Sequence, residues 1–181
     1  MMIWRLAASS SVDAKELRLP LVGPPEAEEV PIAAAAVDAW ISRESAADGS
    51  LVAATREDVT DRTASHRWYL RFRGDEKDFI TVWLTLRQRT LHVEAQFMPA
   101  PEQNVTAALE YLMRRNADLM GLTFCLGAED AVYLVGRVPA SVVDEEELDR
   151  IVGSAIQYVD EHFPTAMSLA HPDLYRRHRR R

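Results

Sequence analysis

Residues 66–97 read HRWYLRFRGDEKDFITVWLTLRQRTLHVEAQF, and the fold turns on them. Three runs rich in aromatic and β-branched residues stand out: HRWYLRFR (66–73), FITVWLTL (79–86) and TLHVEAQF (90–97). The turn-like segments GDEKD (74–78) and RQR (87–89) separate them, which predicts two successive hairpins, a meander. Side chains alternate between the faces of a sheet, so a slip of one residue exchanges the faces. Pairing Arg73 with Phe79 sets Arg71 opposite Thr81, Tyr69 opposite Trp83 and Arg67 opposite Thr85. Phe72 then meets Ile80, Leu70 meets Val82 and Trp68 meets Leu84. Pairing Leu86 with Leu91 brings Leu84 beside Val93, Val82 beside Ala95 and Ile80 beside Phe97. Both choices give one wholly apolar face. The other face carries Arg67, Tyr69, Arg71, Arg73, Phe79, Thr81, Trp83, Thr85, His92, Glu94 and Gln96.

Helical spacing flanks the meander. A first helix is predicted from about Pro31 to Ala47, with Trp40 as its main apolar anchor and Asp48-Gly49 as its stop. One short strand fits around Leu51–Thr55. A second helix is predicted over about 102–119, with Val105, Ala108, Leu109, Leu112, Asn116 and Leu119 on one face. Strands LTFCL (122–126) and AVYLVGRV (131–138) follow, joined by GAED. A last helix starts at Asp144, where Asp144 and Glu147 form a variant capping box, and Pro164 is expected to end or kink it. The order α-β-β-β-α-β-β-α predicts an α+β fold, a single antiparallel sheet with helices on one face. Residues 1–29 read as a lead-in with possible edge strands, 30–165 as the α+β domain, and 166–181 as an Arg-rich tail.

The 181 residues are 48% hydrophobic and 27% charged, enough for one globular core. No apolar run reaches the roughly 20 residues of a membrane helix, and the start MMIWRLAASSSVDA does not read as a signal peptide. A cytoplasmic location is the default. A lone Cys125 excludes an internal disulfide and any cysteine-rich metal site. The net charge is −7, a poor balance for generic nucleic-acid binding, although residues 171–181 (HPDLYRRHRRR) carry five Arg against one Asp.

Few constellations look chemical. His92 and Glu94 share a face of one strand, and a small hydrolase or metal-dependent enzyme would use them. His66 falls on the apolar face in this register and does not converge with them. Asn116 suits an amide that fixes a loop through main-chain bonds, and Cys125 suits a small core residue. Ser9, Ser10 and Ser11 stand in no nucleophile elbow, and the seven glycines form neither GxGxxG nor a Walker loop. Nothing in the chain calls for a cofactor, a metal or a small-molecule ligand.

The stretch EYLMRRNADLMGLTFCLGAEDAVYLVGRVPASVVDEEELDRIVGSAIQYVDEHFP (110–164) resembles the YbjN family of bacterial sensory transduction regulators. The matching features are Leu112 and Asn116, the strand with Phe124, the GAED turn, the strand with Tyr133 and Leu134, and the Glu147-Leu148 helix. The likeness extends over roughly residues 30–165. It implies a fold like that of type III secretion chaperones, which are commonly dimers that bind extended client segments, and no catalytic residues.

The expected function is a non-enzymatic protein-binding module, regulatory or chaperone-like, that binds a partner or a second copy as a homodimer. Its site is Arg67, Tyr69, Arg71, Arg73, Trp83 and Glu94. Trp, Tyr and Arg supply much of the energy of protein interfaces. Plain cross-strand pairing of Tyr69 with Trp83 is the competing explanation. Nucleic-acid binding through the C-terminal arginines is the other alternative to the enzyme.

Overall fold

The computed structural model describes residues 29–57, 59 and 64–178. Its elements are α1 (Glu29–Ala46), β1 (Leu51–Glu57), β2 (Ala64–Arg73), β3 (Phe79–Arg87), β4 (Thr90–Met98) and α2 (Val105–Arg115). Then come β5 (Leu122–Leu126), β6 (Val132–Pro139), α3 (Glu145–Ala170) and α4 (Pro172–His178). The lead-in strands considered for residues 1–28, and the final arginines 179–181, lie outside the described residues.

All six strands form one antiparallel sheet in the order β1-β2-β3-β4-β6-β5. The fold is α+β, with the helices gathered on one face. The meander has the register read from the sequence: Tyr69 opposes Trp83, Trp68 opposes Leu84, and Leu84 in turn opposes Val93. The short run after α1 becomes a full edge strand, so four strands rather than three precede α2. The return through α2 places β5 at the far edge, and β6 folds back between it and β4.

The apolar face is the core. Trp68, Leu70, Phe72, Ile80, Val82, Leu84, Leu86, Leu91, Val93, Ala95 and Phe97 are all at most 2% exposed. From the helices, Val37 and Trp40 of α1, Leu112 of α2, and Leu148, Ile151, Val152, Ala155 and Val159 of α3 meet them. Each buried side chain of this size contributes about 1.5–3 kcal/mol. Two indoles carry polar tips into this layer and both are matched. Trp68 Nε1 donates to Asp38 of α1 and Trp40 Nε1 to Asp149 of α3, each at 2.7 Å. These bonds fix how α1 sits over the sheet and against α3 and pair both indole N–H groups.

Asp144 caps α3 as its sequence indicates, accepting the Glu147 N–H at 2.8 Å. Of the two outcomes expected at Pro164, an end or a kink, the helix does not end there. The helix runs through Pro164 to Ala170. Proline removes one main-chain bond from a helix interior, but the apolar stripe continues past it in Ala166, Met167 and Ala170, all buried. Packing of that last turn and a half outweighs the missing bond. Residues 166–170 therefore belong to α3, and 172–178 form the short α4. Helix α2 is shorter than the 102–119 predicted. It starts after Asn104, which adopts a left-handed conformation (φ 44°), and ends at Arg115, with Asn116 as its C-terminal cap.

The β2–β3 turn is pinned by α3. Asp160 accepts the main-chain N–H groups of Asp75, Glu76 and Lys77 at 2.9, 3.1 and 3.0 Å. Gly74 permits this approach, since a Cβ there would lie 2.3 Å from the Lys77 carbonyl oxygen. The Lys77 ammonium turns inward and donates to the carbonyl oxygens of Gln96 and Phe97. Burial holds its pKa down at about 8, against the opposing pull of Asp160.

The pH consequence has a definite sign. Between about pH 8 and 10.5 the folded chain releases the Lys77 proton that the unfolded chain still holds, so stability rises with pH across that window. Urea unfolding of wild type and Lys77→Met at several pH values checks it: the difference between the two should change across the window and be flat below it.

Candidate functional site

The uncovered face of the sheet carries the predicted residues in cross-strand rows. One row runs Thr55, Tyr69, Trp83, Glu94, Val135, Thr123 from edge to edge. A second runs Glu57, Arg67, Thr85, His92, Arg137. Tyr69 and Trp83 are half-buried against each other, ring centroids 6.0 Å apart at 70°, an edge-to-face contact. No described helix lies over them; the helices pack on the opposite face.

The arginines expected beside this pair divide in two. Arg67 stacks on Trp83 (5.8 Å to the ring centroid) and its Nε lies 3.2 Å from a Glu57 carboxylate oxygen. Arg71 stacks on Phe79 at 4.0 Å, and Phe79 is itself 43% exposed. Stacking holds both guanidinium groups against aromatic rings of the sheet. Arg73 and Glu94 are exposed. The strand alternation adds Arg87 and Arg137, neither singled out from the sequence. Five arginines thus stand on this face of a chain whose net charge is −7, against the strand carboxylates of Glu57 and Glu94.

His92 and Glu94 border a concavity of about 560 Å³ over β4, β6 and β5, together with Thr123, Cys125, Val135 and Arg137. Burial lowers the His92 pKa, and the guanidinium groups of Arg87 and Arg137 lower it further. Burial raises the Cys125 thiol, and Glu94 adds to the shift. The pattern is the reverse of a nucleophile's: an activated cysteine has a cation beside it, not a carboxylate. Glu94 acts electrostatically on the thiol, while the charges that act on the His92 imidazole are those of Arg87 and Arg137. Among the described residues no group of three or more His, Cys, Asp or Glu side chains could hold a metal ion.

The remaining candidates fall away from this face. His66 lies beside Trp68, within 2.6 Å of Arg56, on the helix-covered face and two strands away from His92. Burial and Arg56 lower its pKa. Asn116 does main-chain work: its Oδ1 accepts the Phe124 N–H at 2.7 Å and its Nδ2 donates to the Phe124 carbonyl at 3.2 Å. It thereby occupies part of the free edge of β5, where an unpaired strand invites association. Arg176 in α4 bonds Asp173 at 2.5 Å. Ser9, Ser10 and Ser11 lie outside the described residues. No described helix is long and apolar enough to cross a membrane.

Comparisons with known proteins give matches of three kinds. The family model YbjN, described as "Putative bacterial sensory transduction regulator", matches residues 51–167. Uncharacterised proteins of Mycobacterium tuberculosis and Mycobacterium bovis are each 32% identical over 96 residues, 53% of this chain and 52% of theirs. One from Mycobacterium leprae is 31% identical over 86 residues, 48% of this chain and 47% of its own. The matched region spans about half the length of these curated relatives. Among solved structures, the heterodimeric ExoU–SpcU complex from the type III secretion system of Pseudomonas aeruginosa aligns with a TM-score of 0.45 at 10% identity, over 71% of this chain and 95% of that one.

The two sheet tryptophans should answer mutation differently. Trp68→Ala opens a cavity under α1 and removes the indole bond to Asp38, costing about 3–5 kcal/mol. Trp83→Ala loses one cross-strand aromatic pair on a wet face, about 1 kcal/mol. Chemical denaturation of both variants measures the gap; equal losses would contradict the assignment of faces.

Proposed function

The chain belongs to the YbjN family, and from that premise we propose that it is a non-enzymatic, cytoplasmic protein-binding module, regulatory or chaperone-like, that buries part of a partner on its open sheet face. The observation that carries this reading is the Tyr69–Trp83 pair, held edge to face on the uncovered side of the sheet and ringed by arginines. Two large aromatics in the middle of a solvated face leave apolar area in water that a partner can cover. Arg67 and Arg71 are already stacked, so they lose little side-chain freedom on engaging a partner. Arg73 and Glu94, both exposed, add charge that selects and steers.

The sheet supplies what such a surface needs. Its strands are fixed from behind by the core, so the contact residues are presented on a rigid support. The concavity beside Glu94 breaks the flatness of the face and gives an approaching side chain a place to enter. The thiol of Cys125 is held protonated and the imidazole of His92 is flanked by cations, an environment suited to recognition rather than to nucleophilic chemistry.

Trp83→Ala tests the assignment. Wild-type and variant proteins, matched for thermal unfolding, are used as bait in extracts of the source organism, and retained proteins are identified by mass spectrometry. At least one protein should be held by wild type and lost from the variant, a drop of about tenfold or more for a central aromatic anchor. Identical retained sets would refute the site.

A further inference from the structure

The partner-binding reading of the open face is taken as the basis, and the inference concerns the partner's chemistry. We propose that Arg87, His92 and Arg137 form an anion subsite at one corner of that face, and that it receives a carboxylate side chain from an extended acidic segment of the partner protein.

The corner is assembled by register. His92 on β4 opposes Thr85 on β3 and Arg137 on β6, and Arg87 lies two residues beyond Thr85 on the same face. Three nitrogen-rich side chains from three adjacent strands therefore meet on one side of the sheet. The charges acting on the imidazole are those of the two guanidinium groups. His92 and Arg137 line the concavity of about 560 Å³, whose wall also includes Gly121 and Gly136. Guanidinium groups bind carboxylates through paired charge-assisted hydrogen bonds, and a protonated imidazole adds a further donor.

Glu94 narrows the class of ligand. It lines the same concavity, one alternate position along β4 from His92, about 7 Å away at the usual rise of a strand. An anion alone meets repulsion there. An extended peptide brings a carboxylate side chain for the arginines and main-chain N–H groups that Glu94 accepts. A nucleic-acid strand brings a phosphate at every nucleotide past Glu94 and Glu57, onto a protein that is negative overall. A second copy docked by a twofold axis would set this arginine-rich face against itself, and like charges in apposition disfavour it. An acidic protein segment is the occupant that matches the charge of the face.

The test uses the full chain and a fluorescein-labelled peptide alternating glutamate with valine, read by fluorescence polarisation. Its glutamine counterpart and a labelled oligothymidylate are the comparison probes. The glutamate peptide should bind at least about tenfold more tightly than the glutamine one. Arg137→Ala and Arg87→Ala should each weaken it by about fivefold to tenfold and leave the glutamine peptide unmoved. His92 faces Arg87 from β3, Arg137 from β6 and Glu94 on its own strand. A bound carboxylate offsets the two guanidinium charges and favours the imidazolium, so affinity should rise as pH falls from about 7.5 to about 6 in wild type and not in His92→Gln. Absence of glutamate-peptide binding, equal binding of the glutamine peptide, insensitivity to both arginine substitutions, or tighter binding of oligothymidylate overturns the subsite. If both peptides bind equally and both are lost in Trp83→Ala, the subsite falls while the broader reading of the face stands.

Discussion

The lock between β2 and β3 is the constraint from which the rest follows. With Tyr69 opposite Trp83, adjacent Trp68 and Leu84 must turn the other way, and every second residue of three strands follows them. One face becomes continuous hydrocarbon and can exist only under a cover; α1 and α3 supply that cover. The indole N–H of Trp68 reaches Asp38 on α1, and the Trp40 indole on α1 reaches Asp149 on α3. Two hydrogen bonds thus register three layers of side chains, and the ion pairs of Arg43 with Glu145 and Asp149 continue the tie at the surface. Moving the register by one residue would bury Arg71 and expose Leu70, a cost no local rearrangement offsets.

The same alternation produces the open face without any dedicated element. Whatever is not needed for the core points outward, and here the outward set is aromatic and cationic rather than merely polar. The acidic residues concentrate on the helical side, where Asp144–Glu147 open α3 and Asp149, Asp160 and Glu161 follow along it. Many of these carboxylates have structural duties: Asp144 caps its helix, Glu147 pairs with Arg150, and Asp160 holds the β2–β3 turn. Charge is thereby separated across the thickness of the domain. Among the described residues, α3 carries a run of carboxylates on the helical side, while the open face is locally basic.

Local patterns in the chain carried most of the architecture. The meander register, the cap at Asp144 and the main-chain role of Asn116 could be read from the residues because each depends on neighbours close in sequence or on a strict period of two. What escaped depends on distance along the chain. Nothing in AVYLVGRV (131–138) says that it lies between β4 and β5, so the meeting of His92 with Arg137, and the concavity beside them, became visible only with the sheet order. Pro164 left open whether the helix ends there, and it continues because Ala166, Met167 and Ala170 extend the buried stripe beyond it. Arg87 was hidden in what read as a turn, although it continues the β3 alternation.

The central claim is that one face of the sheet is sealed and the other is open, and hydroxyl-radical footprinting of the unmodified protein addresses it most directly. Mass spectrometry of the oxidised chain should find Tyr69, Phe79 and Trp83 labelled readily, with Trp40, Trp68 and Phe97 protected to the level of the unreactive core. Protection of Trp83 equal to that of Trp68 in the isolated protein would contradict the account.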